Sequence, residues 1–277
     1  MKTLLWLLVA AAGFGLMLAS AVAFQGPASP PSASDGQVYV APAPFYTFAV
    51  GQALLFLGCS FLLVRLCTFL APRVRSSLLG APLVEIHTRR RLFLTLALVY
   101  FGLAVLFAVV VYQVPDVQRS LVATVRKALK TGPLVPVAQA YASRSIVRAA
   151  LMTVAINFTL GSFAVITLPS LIVPGVGALM AVLRAALWGL VLAPTNPLLL
   201  RRMAPHSLTM FLEGAGYVLA GFFALLVPIY LLRRSEGETV LRRYGKAVVV
   251  NLKGNLLVLI VLAVSAVYEA VEVILQS

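Results

Sequence analysis

Four polar or ionisable side chains stand inside stretches that are otherwise apolar enough for a lipid bilayer: Asn157, Arg184, Glu213 and Glu269. A charged side chain at the middle of a membrane costs roughly 2.5–3.5 kcal/mol on insertion scales, so it is seldom found there without a partner. Ion pairing is the simplest chemistry for this set, with Arg184 neutralising either Glu213 or Glu269. Asn157 would add neutral hydrogen bonds.

The same residues are predicted to lie at one depth. Successive membrane spans run antiparallel and each helical residue rises about 1.5 Å, which places all four roughly 8–14 Å from one interface. In the last span, Asn255 and Glu269 also belong to a polar stripe with helical spacing. The sequence therefore predicts one intramembrane polar network, made of Asn157, Arg184, Glu213, Asn255 and Glu269.

Residue types suited to catalysis are scarce. His87 and His206 are the two histidines, too few for a catalytic metal site, and Cys59 and Cys67 lie eight apart in one apolar run. No G-x-S-x-G elbow is present to activate a serine. We therefore predict no catalytic residue, no cofactor and no metal, and an intramembrane hydrolase is disfavoured.

The overall composition explains why these residues are unusual. Of 277 residues, 61% are hydrophobic and 11% are charged, and the mean hydropathy is +1.01. These values are typical of an integral membrane protein rather than of a soluble domain. The formal net charge of +14 comes from basic residues between the apolar runs, which favours membrane topology over nucleic-acid binding.

Apolar runs of about 20 residues predict the spans that must position these side chains. The first, residues 4–24, ends in an A-x-A pattern and is interpreted as a signal peptide or a signal anchor (residues 1–24). Residues 25–44 form a Pro/Ala/Ser-rich extracytoplasmic linker, and residues 45–91 add one span and a basic cytoplasmic loop. The further spans are predicted at residues 45–70, 92–112, 149–168, 176–193, 208–232 and 247–274, with Pro169 to Gly177 linking a helical hairpin.

The segment between the spans at 92–112 and 149–168 is too polar to cross. Leu121, Val125 and Leu129 recur at helical spacing from Pro115 to Thr131, which predicts an interfacial amphipathic helix. Its basic residues are expected to contact anionic lipid or a partner: Arg119, Arg126, Lys127 and Lys130. A weaker helix is predicted from Val137 to Arg148, and the alternative is that both are solvated connectors.

Orientation follows from the basic residues. With Lys2 in the cytoplasm and every span crossing, the cytoplasmic loops hold only a small excess of Lys and Arg. If residues 92–112 entered the membrane and returned to the same side, the cytoplasmic excess of Lys and Arg would be larger. A charge-free run of that length is nevertheless expected to span the bilayer. We expect an all-α, polytopic transmembrane bundle with interfacial amphipathic helices in a bacterial inner membrane.

Three pieces of the sequence resemble the stage II sporulation protein M family. They are "INFTLGSFAVITLPSLIVPGVGALM", "APHSLTMFLEGAGYVLAGFFA" and "LLVLIVLAVSAVYEAVEVIL", within residues 92–277. Asn157, Pro205, His206, Glu213 and Glu269 occupy the family's motif positions. His206 and Glu213 are seven apart where the family has a shorter spacing, and the first 91 residues are an addition.

The resemblance implies a polytopic scaffold that gathers peptidoglycan-cutting partners at a membrane. Basic interfacial helices and small-residue helix faces fit a non-catalytic scaffold or assembly subunit of a cell-envelope complex. Its partners would be anionic lipids and other envelope proteins, without nucleic acid, and a homo-oligomer is compatible with the sequence. The alternative is a permease or channel-like transporter whose polar network lines a hydrated pathway.

Overall fold

The computed structural model describes residues 2–23, 39–74, 77–233 and 237–276, and these form helices joined by short connections, without a β-strand. The helices are α1 (Lys2–Ala23), α2 (Pro42–Leu70), α3 (Gly80–Thr88), α4 (Arg90–Gln113), α5 (Pro115–Thr131), α6 (Val135–Ala142), α7 (Ile146–Ile156), α8 (Leu168–Ile172), α9 (Val176–Leu192), α10 (Pro197–Leu232) and α11 (Val240–Leu275). A π-helical segment, Asn157–Thr167, joins α7 to α8. The all-α bundle expected from the sequence is confirmed.

In the described ranges, six helices are long and apolar enough to cross a membrane: α1, α2, α4, the continuous helix Ile146–Ile172, α10 and α11. The shorter α9 also runs the height of the bundle. At one end Gly175 lies beside Pro228, and at the other the carbonyls of Val191 and Ala193 accept hydrogen bonds from Gln118. We call the end at which α1 begins the cytoplasmic end, following the orientation expected from the sequence.

The last two long helices begin earlier than predicted. Helix α10 starts at Pro197 because the Asn196 side chain accepts a hydrogen bond from the Leu199 amide at 2.9 Å. Ser207, which immediately precedes the span predicted at 208–232, lies well inside α10 and donates to the Met203 carbonyl. Helix α11 starts at Val240, where Thr239 caps the Arg242 amide. Both caps lie in polar sequence that hydropathy alone assigns to loops.

The connection before the fourth long helix also differs from the prediction. The helix expected from Val137 to Arg148 is interrupted at Ser143–Ser145, where Arg144 has a positive φ of 54°. Ser145 then caps a new helix by accepting from the Arg148 amide. The predicted span at 149–168 consequently begins at Ile146 and continues through the π-helical segment to Ile172.

Helix α10 is the central helix of the bundle. In its apolar stretch 67% of the residues are buried, against 28% to 39% in the other five long helices. Helices α4, α9, α11 and the α1–α2 hairpin pack around it. Most side chains of α10 therefore contact other helices rather than lipid. This burial explains how α10 can carry polar residues.

The N-terminal helix is packed closely against α2. A Cβ atom on Gly13 would lie 2.5 Å from the Gly51 carbonyl oxygen, so the two backbones touch there. The Trp6 and Phe61 rings stack with centroids 3.8 Å apart. Most of the linker expected at residues 25–44 lies outside the described residues, and its last part, from Pro42, already belongs to α2.

Candidate functional site: polar groups inside the bundle

Arg184 of α9 and Glu213 of α10 meet inside the bundle, with 3.5 Å between Nη2 and Oε1. Tyr217, one turn after Glu213, bridges them. Its hydroxyl donates to Glu213 Oε1 at 2.8 Å and accepts from Arg184 Nη2 at 2.7 Å. The Glu213 side chain is 11% exposed and that of Arg184 is 27% exposed. The structure thus gives the buried carboxylate both a counter-charge and a hydrogen-bond donor.

Aromatic rings and a glycine complete the surroundings of this triad. The Arg184 guanidinium lies 4.0 Å from the Tyr217 ring centroid and 5.7 Å from that of Trp188, one turn further along α9. Such cation–π contacts favour a charge that has left water. Gly161, in the π-helical segment, approaches so closely that a Cβ there would be 2.8 Å from the Tyr217 hydroxyl.

A second polar group lies nearer the extracytoplasmic end, between α10 and α11. The Glu272 carboxylate accepts a hydrogen bond from the Thr209 hydroxyl at 2.7 Å and lies 3.3 Å from His206 Nδ1. His206 thus contacts a carboxylate of α11 rather than Glu213 of its own helix. His206 and Glu272 border a cavity of about 230 Å³, with Arg202 at its edge.

Glu269 stands between the two groups, one turn from Glu272 along α11. In the neighbouring α6, the Tyr141 hydroxyl lies 3.1 Å from the Thr153 hydroxyl of α7. Burial raises the pKa of the Tyr141 phenol, and the negative charge of Glu269 raises it further. Glu269 is therefore close enough to Tyr141 for its charge to act on the phenol, and among the described residues Arg184 pairs with Glu213 rather than with Glu269.

Asn255 belongs to a third group, in the cytoplasmic half of α11. Its side chain accepts from the Thr167 hydroxyl at 3.0 Å and donates to the Asn251 carbonyl at 3.0 Å. Fourteen residues of α11 separate Asn255 from Glu269, which amounts to about 21 Å along the helix. The single network expected from the sequence is thus divided into three local groups, because the polar stripe of α11 spans both leaflets.

The other two motif residues have different surroundings. Asn157 is half-buried at the start of the π-helical segment, and its side chain forms no hydrogen bond with the described residues. Pro205 lies inside α10 without ending it, and its carbonyl accepts from the Tyr268 hydroxyl at 3.4 Å. Neither residue joins the Arg184–Glu213 pair.

The amphipathic helix α5 has the predicted bounds, and it is anchored at its start. Gln118 is buried, donates to the Ala193 carbonyl at 2.7 Å and accepts from the Thr195 hydroxyl at 2.6 Å. Arg119 pairs with Asp116. Arg126, Lys127 and Lys130 are exposed further along the helix. The anchor fixes where α5 leaves the bundle and leaves its basic residues accessible.

Sequence reasoning missed the aromatic and hydroxyl neighbours of the charges: Tyr141, Thr209 and Trp188. Helical spacing was the available signal for Trp188, which lies four residues after Arg184 on one face. Tyr141 comes from a separate helix, and no local pattern connects it to Glu269. In the part of the chain that is described, no three His, Cys, Asp or Glu residues are arranged to hold a metal ion.

The fold and these buried polar groups define a class of protein: the chain is a multi-pass α-helical membrane protein. No protein-family model, curated protein or solved structure matches it.

Proposed function

We propose that the protein is a non-catalytic scaffold or assembly subunit of a cell-envelope complex in a bacterial inner membrane, of the stage II sporulation protein M type. The observation that carries this proposal is the mutual pairing of Arg184, Tyr217 and Glu213. A transport pathway needs polar groups that are free to bind a solute or water, whereas a scaffold needs charges that hold helices together. In this protein, Arg184 and Glu213 bind each other and Tyr217, so neither charge is free to bind a solute.

Substituted-cysteine labelling tests whether this part of the bundle is dry. Ser162 is fully buried beside Gly161, and its hydroxyl has no hydrogen-bond partner. With Cys59 and Cys67 replaced by Ala, we expect Ser162→Cys to resist a membrane-impermeant thiol reagent. Ala123→Cys, on the exposed part of α5, is the accessible control. Rapid labelling of Ser162→Cys would show a hydrated pathway and contradict the scaffold.

Partner binding is tested by crosslinking in native membranes followed by affinity capture. We expect a companion protein in fixed stoichiometry, and its loss from a variant that combines Arg126→Gln, Lys127→Gln and Lys130→Gln on α5. A variant with the same charge change at the cytoplasmic ends of α10 and α11, Arg233→Gln with Arg242→Gln and Lys246→Gln, is the control. A chain that is recovered alone under all conditions would contradict the proposal.

A permease is the second candidate, and the cavity beside His206 and Glu272 is the observation that favours it. From this cavity, Glu272, Glu269 and Glu213 lie at increasing depth from the extracytoplasmic end. Carboxylates in such a series are typical of proton or cation pathways. This candidate predicts that purified protein in liposomes conducts protons and that Glu269→Gln abolishes the conductance.

A further inference from the structure

A cleft at the cytoplasmic end lies outside the polar groups discussed so far. It has a volume of about 820 Å³ and opens between the α1–α2 hairpin and the start of α4. Sites for small molecules commonly occupy about 300–1,000 Å³. The cleft is therefore large enough for a lipid headgroup with the upper part of its chains.

The polar part of the lining is basic. Arg65, His87, Arg90 and Arg91 all line the cleft, and no acidic residue does. Among these, Arg90 and Arg91 form no ion pair in the described structure. Nearby basic residues do have partners, since Arg89 pairs with Glu85 and Arg243 donates to the Leu231 carbonyl. Arg90 and Arg91 therefore bring two positive charges without an ion-pair partner to this cleft, beside Arg65.

Arg65 is held in position rather than free. Its Nη1 donates to the Thr3 hydroxyl of α1 at 2.9 Å, which ties the two helices of the hairpin together. Arg65 lies five residues before the end of α2, about 8 Å below the cytoplasmic end of that helix. The basic side chains of the cleft therefore extend from the membrane surface to the depth at which the acyl chains of the lipids begin.

The remaining wall is apolar and faces the lipid. Phe61, Leu66 and Phe69 come from α2 and Leu94 from α4. Leu66 and Phe69 are more than half exposed, and Phe61 is fixed by its stacking on Trp6. A soluble anion would use only the basic part of this surface, whereas a lipid would use both parts.

We propose that this cleft binds one anionic phospholipid of the cytoplasmic leaflet, with its phosphate at Arg65, Arg90 and Arg91 and its chains along Phe69 and Leu94. Basic pockets between membrane helices on the cytoplasmic side are suited to anionic headgroups. The site does not depend on whether the protein acts as a scaffold or as a permease. Arg65 and Thr3 also make it dependent on α1.

Native mass spectrometry of the full-length protein in detergent tests the site, with phosphatidylglycerol as probe and phosphatidylcholine as the neutral lipid. Combined Arg65→Gln, Arg90→Gln and Arg91→Gln should weaken phosphatidylglycerol binding roughly tenfold or more. The control with the same charge change, Arg233→Gln, Arg242→Gln and Lys246→Gln, should retain it. If both triple variants weakened phosphatidylglycerol binding equally, the binding would depend only on net charge. That result would overturn the proposed site.

Three further measurements keep the proposal testable if the triple variant folds poorly. Arg91→Gln alone should still weaken phosphatidylglycerol binding several-fold, and an Arg→Lys triple should largely preserve it. Inorganic phosphate at millimolar concentration should not displace the lipid. Displacement by phosphate would identify a soluble anion as the ligand, and binding that is equally strong for phosphatidylcholine would exclude headgroup recognition. Either result would overturn the proposal.

Discussion

At the scale of single residues, Tyr217 determines how the buried charges are satisfied. Its hydroxyl accepts from Arg184 and donates to Glu213, so one side chain serves both members of the pair. A buried pair of this kind adds little net stability compared with apolar residues, because both charges lose their hydration. Removal of one partner is costly, since the other charge is left in an apolar setting.

Glu213→Gln should therefore destabilise the protein, by an amount near the lower end of about 3–5 kcal/mol because Arg184 is 27% exposed. Arg184→Met should partly rescue it by removing the charge that has lost its partner. Thermal melts of the two single variants and the double variant in detergent measure this coupling. Asp116→Asn, which breaks an exposed ion pair, is the control and should have little effect. Strictly additive effects of the two changes would contradict the pairing.

Tyr217→Phe separates the hydrogen bonds from the ring contact. The variant keeps an aromatic ring under the Arg184 guanidinium and loses the bridging hydroxyl. We expect a loss of about 1–3 kcal/mol, because the buried Glu213 loses a donor. The same detergent melts measure this effect. A variant as stable as the parent would show that the hydroxyl does not bridge the pair.

At the scale of secondary-structure elements, the π-helical segment Asn157–Thr167 brings the backbone of the fourth long helix close to the charged pair. π-Helical turns are uncommon and occur frequently at functional sites. Gly161 is at the point of closest approach, where a Cβ atom would meet both the Tyr217 hydroxyl and Arg184 Nη2, at 2.8 Å and 3.2 Å. The position therefore requires a residue without a side chain.

Gly161→Ala should destabilise the protein by about 1–3 kcal/mol, the usual effect of overpacking a well-packed site. The Tyr217 hydroxyl would have to move, and its two hydrogen bonds would lengthen. Gly102→Ala is a matched control, because it is also helical and a Cβ there meets nothing within 4 Å. Helix propensity alone should make that change neutral or stabilising. Equal melting temperatures for the two variants would contradict the close approach.

The contact between α1 and α2 leads to a second prediction at this scale. Gly13→Leu should separate the two helices, because a Cβ at this position would lie 2.5 Å from backbone atoms of α2. Gly15→Leu in the same helix is the control, since a Cβ there meets nothing within 4 Å. Size-exclusion profiles and detergent melts should distinguish the two variants. A Gly13→Leu protein that behaves like the parent would show that α1 is not a packed part of the bundle.

At the scale of the whole molecule, the ends of the helices define two distinct faces. Two hydrogen bonds join helices at the cytoplasmic end. The Tyr230 hydroxyl of α10 donates to Glu85 of α3 at 2.6 Å, and the Tyr244 hydroxyl of α11 donates to the Leu171 carbonyl of α8. The other end carries α5, α6 and the cavity at His206. Because α9 runs the full height, the described helices make an odd number of crossings, and we expect the C-terminus on the side opposite the start of α1.

Reporter fusions test this arrangement. A C-terminal alkaline phosphatase fusion should be active and a green fluorescent protein fusion dark, because the C-terminus is expected outside the cytoplasm. Fusions after residue 237, between α10 and α11, provide the control and should give the opposite pattern. Identical reporter behaviour at both positions would contradict a crossing by α11.

The sequence by itself determined the membrane-spanning helices, because runs of apolar residues of about 20 residues have few other stable structures in water or lipid. It also determined the bounds of α5, through the spacing of Leu121, Val125 and Leu129 and the stop at Gly132 and Pro133. The sequence also placed Arg184 and Glu213 in one leaflet, because the rise per helical residue converts a residue's position in its span into a depth in the membrane.

Only the tertiary structure decided which polar groups meet. Depth leaves rotation about each helix axis undetermined, so the sequence could not exclude Glu269 as the partner of Arg184 or separate Asn255 from the others. Contacts between residues far apart in the chain, such as Thr209 with Glu272 and His206 with Glu272, depend on how the helices pack against one another. The π-helical turns likewise depend on that packing, because no local residue pattern specifies them.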